Sequence, residues 1–500
     1  VVIGRLDHRH NFDHERNLNV PAFLIIVPLL ALLALNLPLK SLMNRLAFWT
    51  GMALCLAQVG LAIQPHSHFW TSPSLWLGNL LLFEPTVDNL SLIMFLAIGI
   101  VGMATLMVCR YTVACAGNRF MVINLLILAL AGMNGIVLAN DLFSLYVFLE
   151  VTAVASYILI AFDKGRDAFE GAFKYLILSA VASALILAAI ALLMLAAGDL
   201  SFASIRAAIA GSSHSSVVLA AIALLMVGLF IKGGLIPFHG WLPDAYSAAP
   251  PAVSVLLAGI VTKTTGIYTL IRLATSVIGF SHTLQTLLLF VGVASMLVGA
   301  LAALGQSDFK RMLAYSSISQ VGYIVLGLGV GMTPGPIGAL GLAGAVFHLF
   351  NHAIFKSLLF VNAAAVEQQA GTRDMNRMGG LAEKMPVTGW TSVIAFLSTA
   401  GIPPLAGFWS KLIIIVALWQ AGHVAYAVLA VLTSLLTLAY FLSMQRRVFF
   451  GKLAAGFENL KEGNWWILLP ACVLSLITIG LGVGIPWLFE TFLLPIRSLL

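Results

Sequence analysis

Charge is scarce in this sequence. Only 9% of its 500 residues are Asp, Glu, Lys or Arg, while 61% are hydrophobic. An ordinary soluble domain carries about 25% charged residues, so a water-soluble globular protein is excluded. Cysteine is scarce too. Cys55, Cys109, Cys115 and Cys472 fall in no CxxC or CxxH spacing, which leaves no zinc, haem or iron–sulfur motif. No nucleotide motif is present, so no cofactor and no metal are expected in this chain. The net charge of +7 could point to nucleic acid. In so apolar a chain the position of the charges matters more than their sum, and no nucleic-acid partner is expected.

What the sequence has in abundance is long apolar runs. About 20 such residues span a bilayer as a helix, whereas a barrel would show short alternating segments. The pattern predicts an all-α polytopic membrane protein with about 14 transmembrane helices. A polar tail at 1–19, read as a processed or misassigned end, precedes three spans in 20–113. Five spans fall in 119–278, five more in 283–449, and the last in 465–500. Spans 7 and 12 are interrupted, at "KGGLIP" and "GIPPLAG". Segment 64–89 is too mixed to span, and 198–215 reads as a short surface helix.

The 26 Lys and Arg residues sort by this topology. Loops after odd-numbered spans hold 16, and the opposite side with both tails holds six. The positive-inside rule then places both termini on the non-cytoplasmic side of a bacterial, archaeal or organellar inner membrane. Four lysines remain within spans: Lys232, Lys263, Lys356 and Lys411. Glu150 is the one acid at mid-span, and Asp244 lies beyond the first break. A charge at mid-bilayer costs about 2.5–3.5 kcal/mol on insertion scales. These groups must therefore face protein or water, and Glu150 is expected within salt-bridge or one-water reach of Lys232, both away from lipid. Lys356 is near enough to a helix end for snorkelling to be an alternative.

An internal repeat is also legible. "DLFSLYVFLEVTAVASYILIAF" starts at Asp141 and "DFKRMLAYSSISQVGYIVLGLG" at Asp308; "IPFHGW" around Pro237 resembles "PPLAGFW" around Pro404. Both pairs are 167 residues apart. Spans 4–8 and 9–13 then form two units of five helices, an odd number, so the copies are inverted in the membrane. Inverted repeats with broken helices suit ion-coupled transport, with the site near the midplane. A break frees backbone groups that only a polar, protein-lined interior can satisfy.

Several motifs in one order resemble the antiporter-like subunits shared by respiratory complex I, membrane-bound hydrogenases and Mrp-type cation/proton antiporters. They are "LYVFLEV" with Glu150, "KGGLIPFHGWLPDAYSAAPPAVS" with Lys232 and "GIVTKTTGIY" with Lys263. "HLFNHAIFKSLLF" carries His348, His352 and Lys356, and "GIPPLAGFWSKL" carries Lys411. The resemblance covers about residues 20–495. It implies a subunit that moves protons, with Na⁺ as the other candidate, along a midplane chain of these residues; Lys174 in "FKYLILSAVAS" matches the sixth span. It also implies partners: further antiporter-like membrane subunits and peripheral redox subunits that hold the electron chemistry.

Each residue keeps a plainer alternative. Glu150 and Lys232 could form only a structural salt bridge. Lys263 has no acid partner in sequence and could be tied to backbone carbonyls. His348, His352 and Lys356 are spaced i, i+4, i+8 on one helix face, and a lone buried histidine is often just core. Asp244 could cap the second half-helix. At the level of the whole chain, the alternatives to an ion-translocating subunit are a stand-alone H⁺- or Na⁺-coupled solute carrier and a scaffold whose charges are structural.

Overall fold

The computed structural model describes residues 20–37, 40–63, 85–211 and 215–490. The tail at 1–19 and most of segment 64–89 lie outside them. Among the described residues every regular element is a helix, apart from two isolated backbone bridges. In chain order come α1 (Phe23–Leu35), α2 (Lys40–Ala62), α3 (Asn89–Thr112), α4 (Ala116–Leu138), α5 (Leu142–Ile160) and α6 (Arg166–Ala197). Then follow α7 (Phe202–Gly211), α8 (Ser216–Gly233), α9 (Trp241–Ala248), α10 (Pro251–Ile278), α11 (His282–Leu304) and α12 (Phe309–Gly331). The last are α13 (Pro336–Ala370), α14 (Pro386–Ala400), α15 (Ala406–Gln420), α16 (Val424–Val448) and α17 (Trp465–Val483). Among the described residues, 12 helices are long and apolar enough to cross a membrane. The chain is a multi-pass membrane protein.

Helix is the only open-ended way for an apolar run to satisfy its own backbone in hydrocarbon, and polar residues mark where each run stops. Asp88, Asp141 and Asp308 cap α3, α5 and α12 by accepting from the amides of Ser91, Ser144 and Arg311 at 2.9, 2.7 and 2.8 Å. The helix expected over 198–215 is α7. It lies with Phe202, Ile205 and Ile209 buried, so only part of its circumference is exposed.

The two Gly/Pro stretches, between α8 and α9 and between α14 and α15, are built alike. α8 ends at Gly234 (φ 65°) and α14 at Gly401 (φ 85°), left-handed positions that suit glycine. The amide of Leu235 reaches back to the Phe230 carbonyl, and that of Ile402 to the Leu397 carbonyl, both at 3.0 Å. These are the closing bonds of a Schellman motif. Both following X–Pro bonds, Ile236–Pro237 and Pro403–Pro404, are cis. The chain then resumes as α9 and as α15.

The middle of the bundle is polar. α10 is wholly enclosed and α12 and α13 nearly so, and all three are among the less apolar helices; α2, α6, α16 and α17 turn most of their surface outward. α10 is also irregular, with π-turns at Leu257–Val261, Lys263–Tyr268 and Ala274–Ile278. It meets the end of α8 backbone to backbone: a Cβ on Gly266 would lie 2.4 Å from the Cα of Gly233. Adding one methyl there forces main chain apart, and overpacking of this kind costs about 1–3 kcal/mol. Gly266→Ala is therefore expected to lower the melting temperature of the purified protein by several degrees, whereas Gly117→Ala, with nothing within 4 Å, is expected to leave it unchanged. Thermal unfolding in detergent reads both.

Candidate functional site

The first cluster forms where α8 ends. Lys232 is the penultimate residue of α8, and its ammonium lies 3.2 Å from Glu150 Oε1 on α5. It also lies 3.3 Å from Ser179 Oγ and 3.1 Å from Ser183 Oγ, both on α6. Ser183 in turn donates to Glu150, so one hydroxyl touches both charges. A helix C-terminus favours a cation there. The Lys232 side chain is 4% exposed but that of Glu150 is 35% exposed, because mid-α5 is an outer helix face in the isolated chain.

Lys263 opens the second π-turn of α10 and is fully buried. No acid pairs with it among the described residues; it donates to the Ala258 carbonyl five residues back. Lys356 on α13 does not snorkel. It is 0% exposed because α13 runs on for 14 more residues to Ala370. Its ammonium is held by the Leu313 carbonyl at 3.0 Å and Ser316 Oγ at 2.7 Å, above the Phe441 ring.

The two histidines stack in parallel, with ring centroids 6.3 Å apart. His348 Nδ1 lies 2.8 Å from Ser410 Oγ. His348 Nε2, both nitrogens of His352, both amide atoms of Gln320 and Asn351 Oδ1 are buried and have no protein partner. His352 is within electrostatic reach of Lys263, Lys356, His348 and Lys411, which makes it the junction of the interior groups. Lys411, on α15, points back across the second interruption. It donates to the Thr399 carbonyl at 2.7 Å and sits 4.5 Å from the centre of the Tyr323 ring.

Asp244 is different. It makes no capping bond; α9 begins at Gly240 with no side-chain cap. Its carboxylate instead accepts from Lys174 at 2.6 Å and from Arg311, and so joins α9, α6 and α12 at one edge of the bundle. Lys174, half-exposed, also reaches Glu170 at 2.7 Å.

Sequence reasoning missed four groups. Ser316, Gln320 and Tyr323 form a polar stripe on α12 at i, i+4, i+7, visible in "YSSISQVGY" once α12 is known to be enclosed. Lys310, counted with the loops, is 2% exposed; it lies 2.7 Å from the Ala249 carbonyl and 3.3 Å from Glu367.

Residues 139–437 match the family model described as "NADH:quinone oxidoreductase/Mrp antiporter, TM". The chain belongs to this family. It is 34% identical to a Na(+)/H(+) antiporter subunit of Alkalihalophilus pseudofirmus, over 81% of this chain and 80% of that protein. It is 37% identical to an NADH-quinone oxidoreductase subunit of Desulforudis audaxviator, over 73% and 74% of the two chains. A chain of the Mrp complex from a Dietzia species superposes with a TM-score of 0.84 at 27% identity, covering 96% of this chain and 97% of that one. A chain of the archaeal membrane-bound sulfane sulfur reductase superposes with a TM-score of 0.78 at 27% identity, over 93% and 76%.

Within this member of the NADH:quinone oxidoreductase/Mrp antiporter family, the Asp244 node is separable from the interior groups. Asp244→Asn leaves Lys174 and Arg311 facing each other without their shared anion. Half-exposed pairs are worth about 0–1 kcal/mol each, so the expected outcome is a small loss of stability. A double-mutant cycle of Asp244→Asn with Arg311→Gln is expected to show coupling of the two sites in unfolding, with ion transport largely retained in the single Asp244→Asn variant.

Proposed function

We propose that this chain moves protons along an interior axis running from Glu150 and Lys232 through Lys263 and the His352–His348 stack to Lys411, with Lys356 beside the stack. It is an antiporter-like ion-translocating subunit of a multi-subunit complex, working with other membrane subunits and peripheral redox subunits. The stand-alone solute carrier is not favoured, since the relatives and structural neighbours are subunits of larger assemblies.

One observation carries the proton reading. Three enclosed lysines, Lys263, Lys356 and Lys411, have no carboxylate partner among the described residues and rest on neutral oxygens. A structural cation at this depth needs a counter-charge. An amine on a carbonyl can keep that hydrogen bond whether or not it holds its extra proton. Na⁺ is less well served, because it wants a cage of oxygens and these groups are cationic or imidazole nitrogens. The unpaired atoms of His352, Gln320 and Asn351 suit bridging water, which needs two to four polar partners.

Glu150 supplies the gate. At an effective dielectric near 20, a carboxylate about 4 Å away is worth roughly 4 kcal/mol to an ammonium. With Glu150 turned towards Lys232 the proton is held; with Glu150 turned away, burial favours its release towards Lys263. Ser183, bonded to both, keeps a partner for either position.

The finer architecture follows the same reading. α8 with α9, and α14 with α15, each make one interrupted crossing; with α1 they bring the crossings to 14. The 167-residue offset relates Gly234 to Gly401, Pro237 to Pro404, and the backbone bonds Leu235–Phe230 and Phe238–Leu235 to Ile402–Leu397 and Leu405–Ile402. It also relates the capped starts of α5 and α12, each tied by an isolated bridge to the chain beyond the next long helices. In this frame Thr399 is the counterpart of Lys232. The ammonium of Lys411 therefore lies against the position that Lys232 occupies in the first half.

In sealed vesicles containing the intact complex, Lys232→Ala, Lys263→Ala and Lys411→Ala are each expected to reduce ion movement to near background with assembly retained. Lys232→Arg decides between carrier and structural partner, because a guanidinium keeps its charge at any accessible pH. A carrier is lost with arginine as fully as with alanine. Near-normal transport by Lys232→Arg would show that only the pair with Glu150 matters. The exposed Lys452→Ala is the control.

A further inference from the structure

On the outside of the bundle, α2, α3, α13 and α17 leave a cleft of about 760 Å³ between them, in the size range of cavities that take drug-sized ligands, about 300–1,000 Å³. Its lining is entirely apolar, from Met52 and Val59 on α2 to Ile477 on α17. Leu469 and Val473 at its rim are exposed, so it opens to the bilayer. Phe347 and Phe350 form its floor, and they flank His348 on the same helix.

The lining stripes change character at one end. On α2, positions 59 and 52 are followed one heptad on by Arg45. On α3, Met103 and Met107 are followed by Arg110, and on α17 Val473 and Pro470 by Trp466. Residues three, four or seven apart share a helix face, so these groups continue the cleft. The Arg110 guanidinium is 5.8 Å from the centre of the Phe48 ring and 5.5 Å from that of Trp466. Trp49 and Trp465 are exposed at the same level, as aromatics are where a helix meets the headgroup layer. Arg119, at the start of α4, is within electrostatic reach of Arg110. None of Arg45, Arg110 and Arg119 has an ion pair among the described residues. Arg110 and Arg119, which repel each other, with Arg45 one heptad beyond the α2 stripe, stand at headgroup depth at the end of an oily slot and call for an anion with hydrocarbon attached.

We infer that this cleft is a site for one anionic glycerophospholipid, its acyl chain lying between α2, α3, α13 and α17 and its phosphate against Arg110, Arg45 and Arg119. The lipid belongs to the leaflet on the arginine- and lysine-rich side of the membrane. Its chain seals the outer face of α13 behind the histidine stack. The site stands independently of the proton path, since none of its residues is an interior titratable group.

The test uses the intact complex in nanodiscs, with phosphatidylglycerol bearing a photoactivatable group on one acyl chain, and peptide mapping of the labelled residues. Labels are expected to concentrate on cleft residues of α2, α3 and α17. Unlabelled phosphatidylglycerol should compete several-fold better than phosphatidylcholine with the same chains. Arg45→Gln with Arg110→Gln, exposed changes that leave packing intact, should erase that preference. Met103→Trp should block labelling by filling the slot with both arginines in place; if it fails to fold, the arginine variant still decides. Labelling spread over all outward faces in proportion to exposed area would overturn the proposal. So would equal competition by phosphatidylcholine, or an unlabelled cleft cross-linked instead to a neighbouring subunit.

Discussion

The structure depends on how a buried ammonium is satisfied without a counter-ion. Five lysines are buried in the bundle; Lys232 meets Glu150 and Lys310 meets Glu367. The rest are held by main-chain carbonyls: Ala258 for Lys263, Leu313 for Lys356, Thr399 for Lys411. In a regular helix each carbonyl is already bonded four residues on, and Lys356 shares the Leu313 carbonyl of α12 with Ser317. For the other two lysines the acceptor lies at an irregularity. The π-turns of α10 loosen the ladder beside Lys263, and the end of α14 leaves terminal carbonyls free for Lys411. At Lys263 and Lys411 the irregular backbone lies beside the charge that it holds.

The same constraint sorts the helices. Those with polar interiors cannot face lipid, so α10, α12 and α13 are enclosed, and the more apolar α6 and α16 turn most of their surface outward. Glu150 departs from this pattern. A half-open carboxylate at mid-span is too costly to leave against hydrocarbon, and a membrane subunit of the complex placed over α5 would remove that cost. The most exposed interior group is then the one an adjoining subunit can address.

The sequence made the helix count nearly legible, because long apolar runs have one solution in a bilayer. It also exposed the offset of 167, since Gly and Pro leave visible marks where a helix must stop. Glu150 and Lys232 could be paired from their depth alone. Burial was harder to read. Lys310 looked like a loop residue, and snorkelling stayed open for Lys356, because distance from a helix end says nothing about what packs beside it. For Asp244, where a site role and a cap were both open, the sequence could not show the ion pairs it makes, for a related reason. Its partners, Lys174 and Arg311, are 70 and 67 residues away, and no local pattern announces them. Gln320 and Tyr323 became visible as interior groups only once α12 was known to be enclosed.

The contact of Gly233 with Gly266 has a consequence for tempo. Because main chain touches main chain there, the spacing between the helices that carry Lys232 and Lys263 is fixed by the backbone and leaves no slack for sliding. On the proposed path, a proton passing between Lys232 and Lys263 would travel by rotation of side chains and rearrangement of water. Such motions run in picoseconds to nanoseconds, against microseconds to milliseconds for rocking of packed helices. A transporter built on rocking domains would make every ion wait for a slow hinge. If protons take the proposed path, the close contact of Gly233 with Gly266 favours a conducting step without sliding of these two helices, and the slow part of the cycle would fall to whatever moves Glu150.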